Sequence, residues 1–423
     1  MTPKRLAAIA GSVLILALLW QANKEPPDEI SDKTEIEFWT MQLSPILDEY
    51  ILSSIAEYEQ QNPGITVKWV DVAWADMERK LLASVAAGTA PDVANLNPQF
   101  SSKLAEFNAL EDPTSFLSPE TIATYHPAVW DSNRLDGKYF GVPWYLSATI
   151  AIYNQAIFEQ AGASYPDTLE EIPKIGAQIQ QSIGKYTYFP SFDGGEAMEN
   201  YVLLGGEISN DLPGYGLSNA SIDRLLRYYS DLYESGSVPP SVLIEGHQKA
   251  IDLFQSGELA MLLTGMQMLR TIEINSPQLM EDIVVKPHPN ADEGRTNIAA
   301  MNLVVPKQTR YPRDAFDFVA FMSSPEKQIE MAKEVPILPS TLRSLQNEFF
   351  QVVDQNDKYE MARAFSIAQI RRGDVLLPPL ENYSRLRTAF ILHTHRAMLG
   401  ELSREDATDR LISDWKNISR SGK

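Results

Sequence analysis

The sequence predicts an α/β protein of two lobes. Short β-type runs alternate with amphipathic helical stretches over residues 36–96, a rhythm that builds sheets of parallel strands flanked by helices. At 423 residues the chain exceeds one ordinary domain of roughly 100 to 200 residues and has enough material for two cores. Its 44% hydrophobic and 22% charged content is that of an ordered globular protein.

The elements follow in order. Lys4 and Arg5 precede an uncharged apolar run from Leu6 to Trp20, which gives way to polar Gln21–Glu25. Residues 1–22 therefore read as a signal peptide or N-terminal anchor of an exported, periplasmic-type protein. The run is short for a bilayer span of about 20 residues, and bulky Trp20 sits two positions before Ala22, so a retained anchor stays open. Ile36–Trp39 begins the body as a strand, and Pro45–Gln61 spaces Leu47, Ile51, Ile55 and Tyr58 as one helix face. Asn62, Pro63 and Gly64 stop that helix, and Ile65, Val67 and Trp69 alternate as a second strand. Asp76–Ala87 repeats the helical spacing with Met77, Leu81, Leu82 and Val85 before Gly88 ends it, and Asp92–Leu96 is the third strand. Strands alternating with helices in this way imply a parallel sheet with right-handed crossovers.

Further along, Asp136–Gly137 reads as a tight turn, Ser324–Pro325 as a helix start, and Ser403 with Asp406 as a capping box.

The chain's chemistry narrows its function. Lys and Arg number 36 against 56 Asp and Glu, a net charge of −20, which argues against nucleic acid as a partner. There is no cysteine, so disulfides, thiolate metal sites, cysteine nucleophiles and a lipid on cysteine are excluded. The sequence holds no G-x-S-x-G, P-loop or H-E-x-x-H motif. His393 and His395, two apart on one predicted helix, point to different faces. No metal site or cofactor is expected. A glycosidase would need two facing carboxylates, and Glu170 with Glu171 or Glu196 with Glu199 are the available pairs, but among 56 acids such pairs are ordinary solvated neighbours. The chain reads as a non-enzyme.

In open α/β sheets ligands lie beyond the carboxyl ends of the strands. The loops there carry Gln42, Trp74, Asn95, Asn97 and Gln99. Amides both donate and accept, and a ring covers the apolar face of a sugar, so this set suits a neutral polyol. Each residue also has a structural reading, Asn in turns and Trp74 as a hydrophobic helix cap.

The run P-G-I-T-V-K-W-V at Pro63–Val70 with K-L-L-A-S-V-A-A-G-T-A-P-D-V at Lys80–Val93 resembles the extracellular solute-binding proteins of the maltose-binding type. D-G-K-Y-F-G-V-P-W-Y at Asp136–Tyr145, F-Q-S-G-E-L-A-M at Phe254–Met261, M-N-L-V-V-P-K at Met301–Lys307 and the tail G-E-L-S-R-E-D-A at Gly400–Ala407 match in the same order. The resemblance implies a two-lobed periplasmic-binding-protein fold (type II) with a ligand cleft between the lobes. It implies chain crossings near Trp144–Ser147, Ile298–Asn302 and Pro336–Ser340, one lobe of residues 34–145 plus 300–338, and another of 146–299 plus 339–423.

Carried over motif by motif, it puts Gln42, Asn95, Asn97, Gln99, Trp144, Tyr145, Glu196, Gln267, Asn302, Asn382 and Tyr383 at the ligand, beside Trp74. Gln267 stands where the family carries a stacking tryptophan, and Tyr383 keeps a ring at another such position. One ring fewer favours a mono- or disaccharide-sized ligand, a glycoside or a polyol. Arg371 and Arg372 offer an alternative, an anion of the glycerol-3-phosphate type. The implied role is the solute-binding component of an ABC importer, a monomer that closes on its ligand and delivers it to the permease, with a non-transport sensor or scaffold of the same fold as the other reading.

Overall fold

The structure is a computed structural model and describes residues 33–209, 212–290 and 296–420. The segment 1–22, expected to be a signal peptide or anchor, lies outside the described residues. The first lobe is laid down as β1 (Thr34–Met41), α1 (Asp48–Gln61), β2 (Ile65–Val72), α2 (Trp74–Ala87), β3 (Val93–Leu96) and α3 (Pro98–Glu106). A hairpin pairing Arg134–Leu135 with Lys138–Tyr139 turns at Asp136 and Gly137, both at positive φ, as the sequence predicts. The long strand β4 (Val142–Asn154) then leads into the second lobe.

That lobe holds α4 (Gln155–Ala161), α5 (Ile172–Ile183), α6 (Glu196–Leu203), α7 (Asn219–Glu234), α8 (His247–Gln255), β5 (Met261–Gly265), α9 (Met268–Asn275) and β6 (Ile283–Pro287). Strand β7 (Ile298–Val304) returns to the first lobe, where α10 (Pro312–Met322) and α11 (Pro325–Glu334) pack. Beyond β8 (Leu338–Pro339), helices α12 (Lys358–Ile370), α13 (Tyr383–Met398) and α14 (Arg404–Arg420) complete the second lobe.

Local chemistry sets the helix ends. The Asn97 side chain accepts from Phe100 N–H with Pro98 in the first turn of α3, and Ser324 caps α11 in the same way. Asp406 N–H donates to Ser403 Oγ, which donates back to the Asp406 carboxylate. The expected helix from Pro45 starts only at Asp48, because residues 42–47 form the loop that leaves β1.

The sheet order is β8-β4-β7-β3-β1-β2, with β5 and β6 also paired to β4. Only β1, β2 and β3 run parallel. The uniformly parallel sheet implied by the helix–strand rhythm is corrected: β7 meets both β3 and β4 antiparallel, since it arrives from the other lobe and not through a local crossover.

Strand β4 changes partners along its length. Val142–Ala148 pairs with β7, and Thr149–Asn154 pairs with β5 and β6. One face of the first sheet buries Ile36, Phe38 and Trp144 against α10, with Phe38 edge-on to Phe318 at 5.2 Å. The other face buries Met77, Leu96 and Leu104 under α2 and α3. In the second lobe Tyr153, Tyr229, Phe390 and Trp415 share a single core.

Candidate functional site

A cleft of about 740 Å³ opens between the lobes. Strands β2 and β3 end at it, so α2 and α3 begin on its wall and present Trp74 and Glu78, then Asn97, Gln99, Lys103 and Glu106. This is the carboxyl end of the parallel strands, where open sheets bind ligands. The opposite wall is the Asp193–Gly195 loop ahead of α6, His247 at the head of α8, and Asn382 to Arg387 at the head of α13. Several helix N-termini thus converge on one space, those of α3 and α8 capped by Asn97 and Asp193.

Of the residues expected at the ligand, the structure brings Trp74, Asn97, Gln99, Asn382 and Tyr383 to the cleft. Trp74 is 51% exposed, an unburied indole face. Gln42 stands beside it, its Oε1 accepting from Trp74 N–H at 3.1 Å. Trp144 is instead fully buried: Nε1 donates to the Met322 carbonyl at 3.0 Å and the ring packs on Phe38. Asn95 and Asn302 are also fully buried, joined by Asn95 Nδ2 to the Asn302 carbonyl at 3.3 Å across β3 and β7. These three were placed one layer too far forward, because strand alternation turns them into the sheet. Tyr145 is half-buried near Asp71, and burial first, then the Asp71 charge, raises its phenol well above the ordinary value. Gln267 is exposed, with its amide against Gly265, and does not line the cleft. Arg371 reaches the Leu345 carbonyl at 3.5 Å and Arg372 is exposed, so neither lines the cleft.

Sequence reasoning missed the charged half of the lining, and the structure shows those charges already engaged. Lys103 pairs with Glu78. Asp193 Oδ2 accepts from His247 N–H at 3.2 Å, capping α8. Arg387 donates from Nε to the Gly194 carbonyl and from Nη2 to the Phe192 carbonyl, both at 2.6 Å. The Glu106 carboxylate accepts from Asn382 N–H across the cleft, and burial raises its pKa. Arg385 is engaged as well. The His247 ring lies between Ser191 Oγ at 3.4 Å and Thr264 Oγ1 at 3.5 Å, and burial lowers its pKa, favouring the neutral ring.

Behind the loop, Glu196 sits on the first turn of α6. Its Oε2 accepts from Ser191 N–H at 2.8 Å, while Oε1 is buried without a partner. Burial pushes this carboxyl up to about 8 against the Ser191 bond, with Glu199 adding to the rise. Glu199, one turn on, is pushed up to about 7 by burial, opposed by the Asn297 side chain. The Tyr383 hydroxyl is raised to about 12, by burial first and then by the Glu199 charge. The signal for this wall was present in F-D-G-G-E-A-M-E, a double glycine followed by carboxylates three residues apart on a helix.

Among the described residues no group of three or more His, Asp or Glu is placed to hold a metal ion, and no helix is long and apolar enough to cross a membrane.

The chain is similar to a protein of Synechococcus sp. MITs9220, provisionally assigned as an oligosaccharide periplasmic-binding protein and crystallised with zinc: 31% identity, TM-score 0.84, covering 92% of this chain and 99% of that one. It shares its fold with the GacH receptor of Streptomyces glaucescens, solved unliganded and with acarbose, at 18% identity and TM-score 0.75 over 92% of this chain and 100% of the receptor. The arabinooligosaccharide-binding protein of Halalkalibacterium halodurans is 23% identical over 322 residues, 72% of this chain and 70% of that protein. Residues 53–359 match the family described as bacterial extracellular solute-binding protein, and with its maltose-binding-type two-lobed fold and interlobe cleft the chain belongs to that family.

Proposed function

We propose that the protein is the solute receptor of an ABC importer and captures a neutral, polyhydroxylated ligand of mono- or disaccharide size, a sugar, glycoside or polyol, by closing its lobes on it. The observation that carries this reading is the cleft's composition. An exposed indole and several amides face it, and each charged lining group already has a partner within the protein. A neutral polyol can use side-chain amides in both directions and lay its apolar face on Trp74. An anion of the glycerol-phosphate type would have to compete for Arg387 with two backbone carbonyls, and the Arg371–Arg372 pair lies elsewhere. The names of the Synechococcus and Halalkalibacterium relatives support a saccharide.

We place the lobes at residues 34–145 with 300–338 and at 146–299 with 339–423, a division supported by the change of partners along β4. Closure needs contacts that form only when the lobes meet, and the closed receptor then docks on the permease as a monomer. Export through residues 1–22, cleaved or retained, fits this role. Catalysis is not part of it: Glu170 lies on a surface groove of the second lobe and Glu171 accepts from Asp167 N–H.

A thermal-shift panel of D-glucose, D-galactose, sucrose, maltose, trehalose, glycerol and glycerol phosphate tests the reading. A neutral member at a hundred times its Kd should stabilise the protein by about 2.7 kcal/mol. A response to glycerol phosphate alone, or to none of the panel, overturns it.

A further inference from the structure

Trp74 is the first residue of α2, and its indole stands on the cleft wall 51% exposed, a member of no core cluster of the described residues. Packing therefore does not fix the ring, and its place depends on how the backbone beneath it is held. The first N–H groups of a helix lack partners within the helix, and the residue before this one, Ala73, has no side chain able to cap. The partner comes instead from Gln42, 32 residues away in the chain, whose Oε1 accepts from Trp74 N–H at 3.1 Å.

Gln42 makes this contact from a left-handed backbone, φ 52°, a conformation that is costly for a residue with a Cβ. The other non-glycine positions at positive φ among the described residues are Asn108, Asp136, Asn290, Asn382 and Tyr215. Asn and Asp ease the conformation with short polar side chains, and glutamine is one methylene too long to do so. Neighbouring bonds hold it there. Gln42 N–H donates to the Val72 carbonyl at 2.9 Å. The Asp71 carboxylate accepts from Leu43 N–H at 2.9 Å, Ser44 N–H at 3.3 Å and Thr40 Oγ1 at 2.6 Å, and Thr40 Oγ1 accepts from Trp69 Nε1 at 2.8 Å. Strain that the surroundings hold in place collects at binding sites, and here it aims an amide at the head of the helix that carries the exposed indole.

We propose that Gln42 is a positioning residue for the ligand's stacking platform: kept in its left-handed backbone by the Asp71 network, it pins the first turn of α2 and presets Trp74 against the ligand. The inference rests on the proposed function and adds to it a residue that acts through the ring. A ring that is already placed loses less freedom when the ligand binds, and that saving appears as affinity. Gln42 is not among the residues that line the cleft, so its effect passes through Trp74.

The test is a double-mutant cycle in the full-length protein, read by calorimetric titration with the panel sugar that gives the largest thermal shift. Gln42→Gly should weaken binding about two- to fivefold, a part of the loss that removing the ring itself causes. Its urea midpoint should stay near the parent's, since glycine takes a positive φ without strain. In a Trp74→Ala background the same change should cost no further affinity, because the ring it acts through is gone. Gln42→Glu keeps an acceptor for Trp74 N–H at the positive end of a helix and should recover most of the affinity that Gln42→Gly loses. If Gln42→Gly does not fold, Gln42→Leu, which also lacks the acceptor, takes its place in the cycle. Unchanged affinity on loss of the acceptor overturns the inference and leaves the proposed function standing. So do losses that multiply in the double variant, or a Gln42→Glu protein as weak as Gln42→Gly. Absence of any binding sugar defeats both.

Discussion

The buried carboxyl of Glu196, whose Oε1 lacks a partner, makes a sharp prediction about stability. The perturbation is Glu196→Gln, which keeps size and shape and removes the ionisation. Burial holds this carboxyl near 8 instead of the usual 4.5, so between these values the folded protein keeps a proton that the unfolded chain has released. The stability linked to that proton is complete below about pH 4.5, declines as pH rises, and is lost once pH passes the folded value. At about 1.36 kcal/mol per pKa unit the loss is about 3 kcal/mol by pH 7 and about 4 to 5 kcal/mol by pH 9. The glutamine protein carries no such term. Urea unfolding of both proteins at pH 5, 7 and 9 reads the difference: near-equal stability at pH 5, with the variant pulling ahead as pH rises. Two stability curves that stay parallel from pH 5 to 9 would refute the argument, because they would mean that Glu196 ionises in the fold as easily as in the unfolded chain.

Trp74→Ala should weaken sugar binding about three- to tenfold, the worth of one stacked ring, while leaving the melting temperature near that of the parent, since the indole is half exposed; isothermal calorimetry and a thermal scan separate the two. Trp144→Ala should do the opposite, costing about 3 to 5 kcal/mol in urea unfolding, because the ring fills the first lobe's core. Gly246→Ala sets a methyl group against the Asp193 carboxylate and should dislodge the cap of α8, a loss of about 1 kcal/mol in urea unfolding, with a weaker sugar affinity because His247 moves with it.

The alternating segments from β1 to β3 were legible because each buries one face of a regular element: Ile36 and Phe38 on β1, Met77 and Leu81 on α2. Their ends were legible too, since Asn97, Gly88 and Ser324 cap or stop helices by local chemistry. The antiparallel entry of β7 was not, because it depends on a return from about 200 residues further along the chain; Ala94 and Val304 pair with nothing local to announce it. The site divided the same way. Trp74, Asn97 and Gln99 follow from the position of loops after strands. Trp144, Asn95 and Asn302 went astray because their inward or outward turn is fixed by a register that only the pairing of β4, β7 and β3 sets.

The charged half of the site escaped for a different reason, which also bears on how the receptor works. Charges that serve a ligand and charges that serve the protein look alike in a sequence, and here Lys103, Glu78, Asp193 and Arg387 are satisfied within their own lobes. Closing a cleft removes water from whatever lines it, and an unpaired charge resists that step strongly. Pairing inside each lobe meets most of that cost before the ligand arrives, so the ligand's hydroxyls can decide closure. Glu106 is the group whose partner lies across the gap, at Asn382 N–H, with the Glu381 charge beside it holding its pKa up in addition to burial. The Asn382 N–H favours this carboxylate, while burial and the like charge of Glu381 oppose it, and the net effect is a raised pKa. Under the proposed function, pairing of this kind leaves closure to be decided by what the ligand adds.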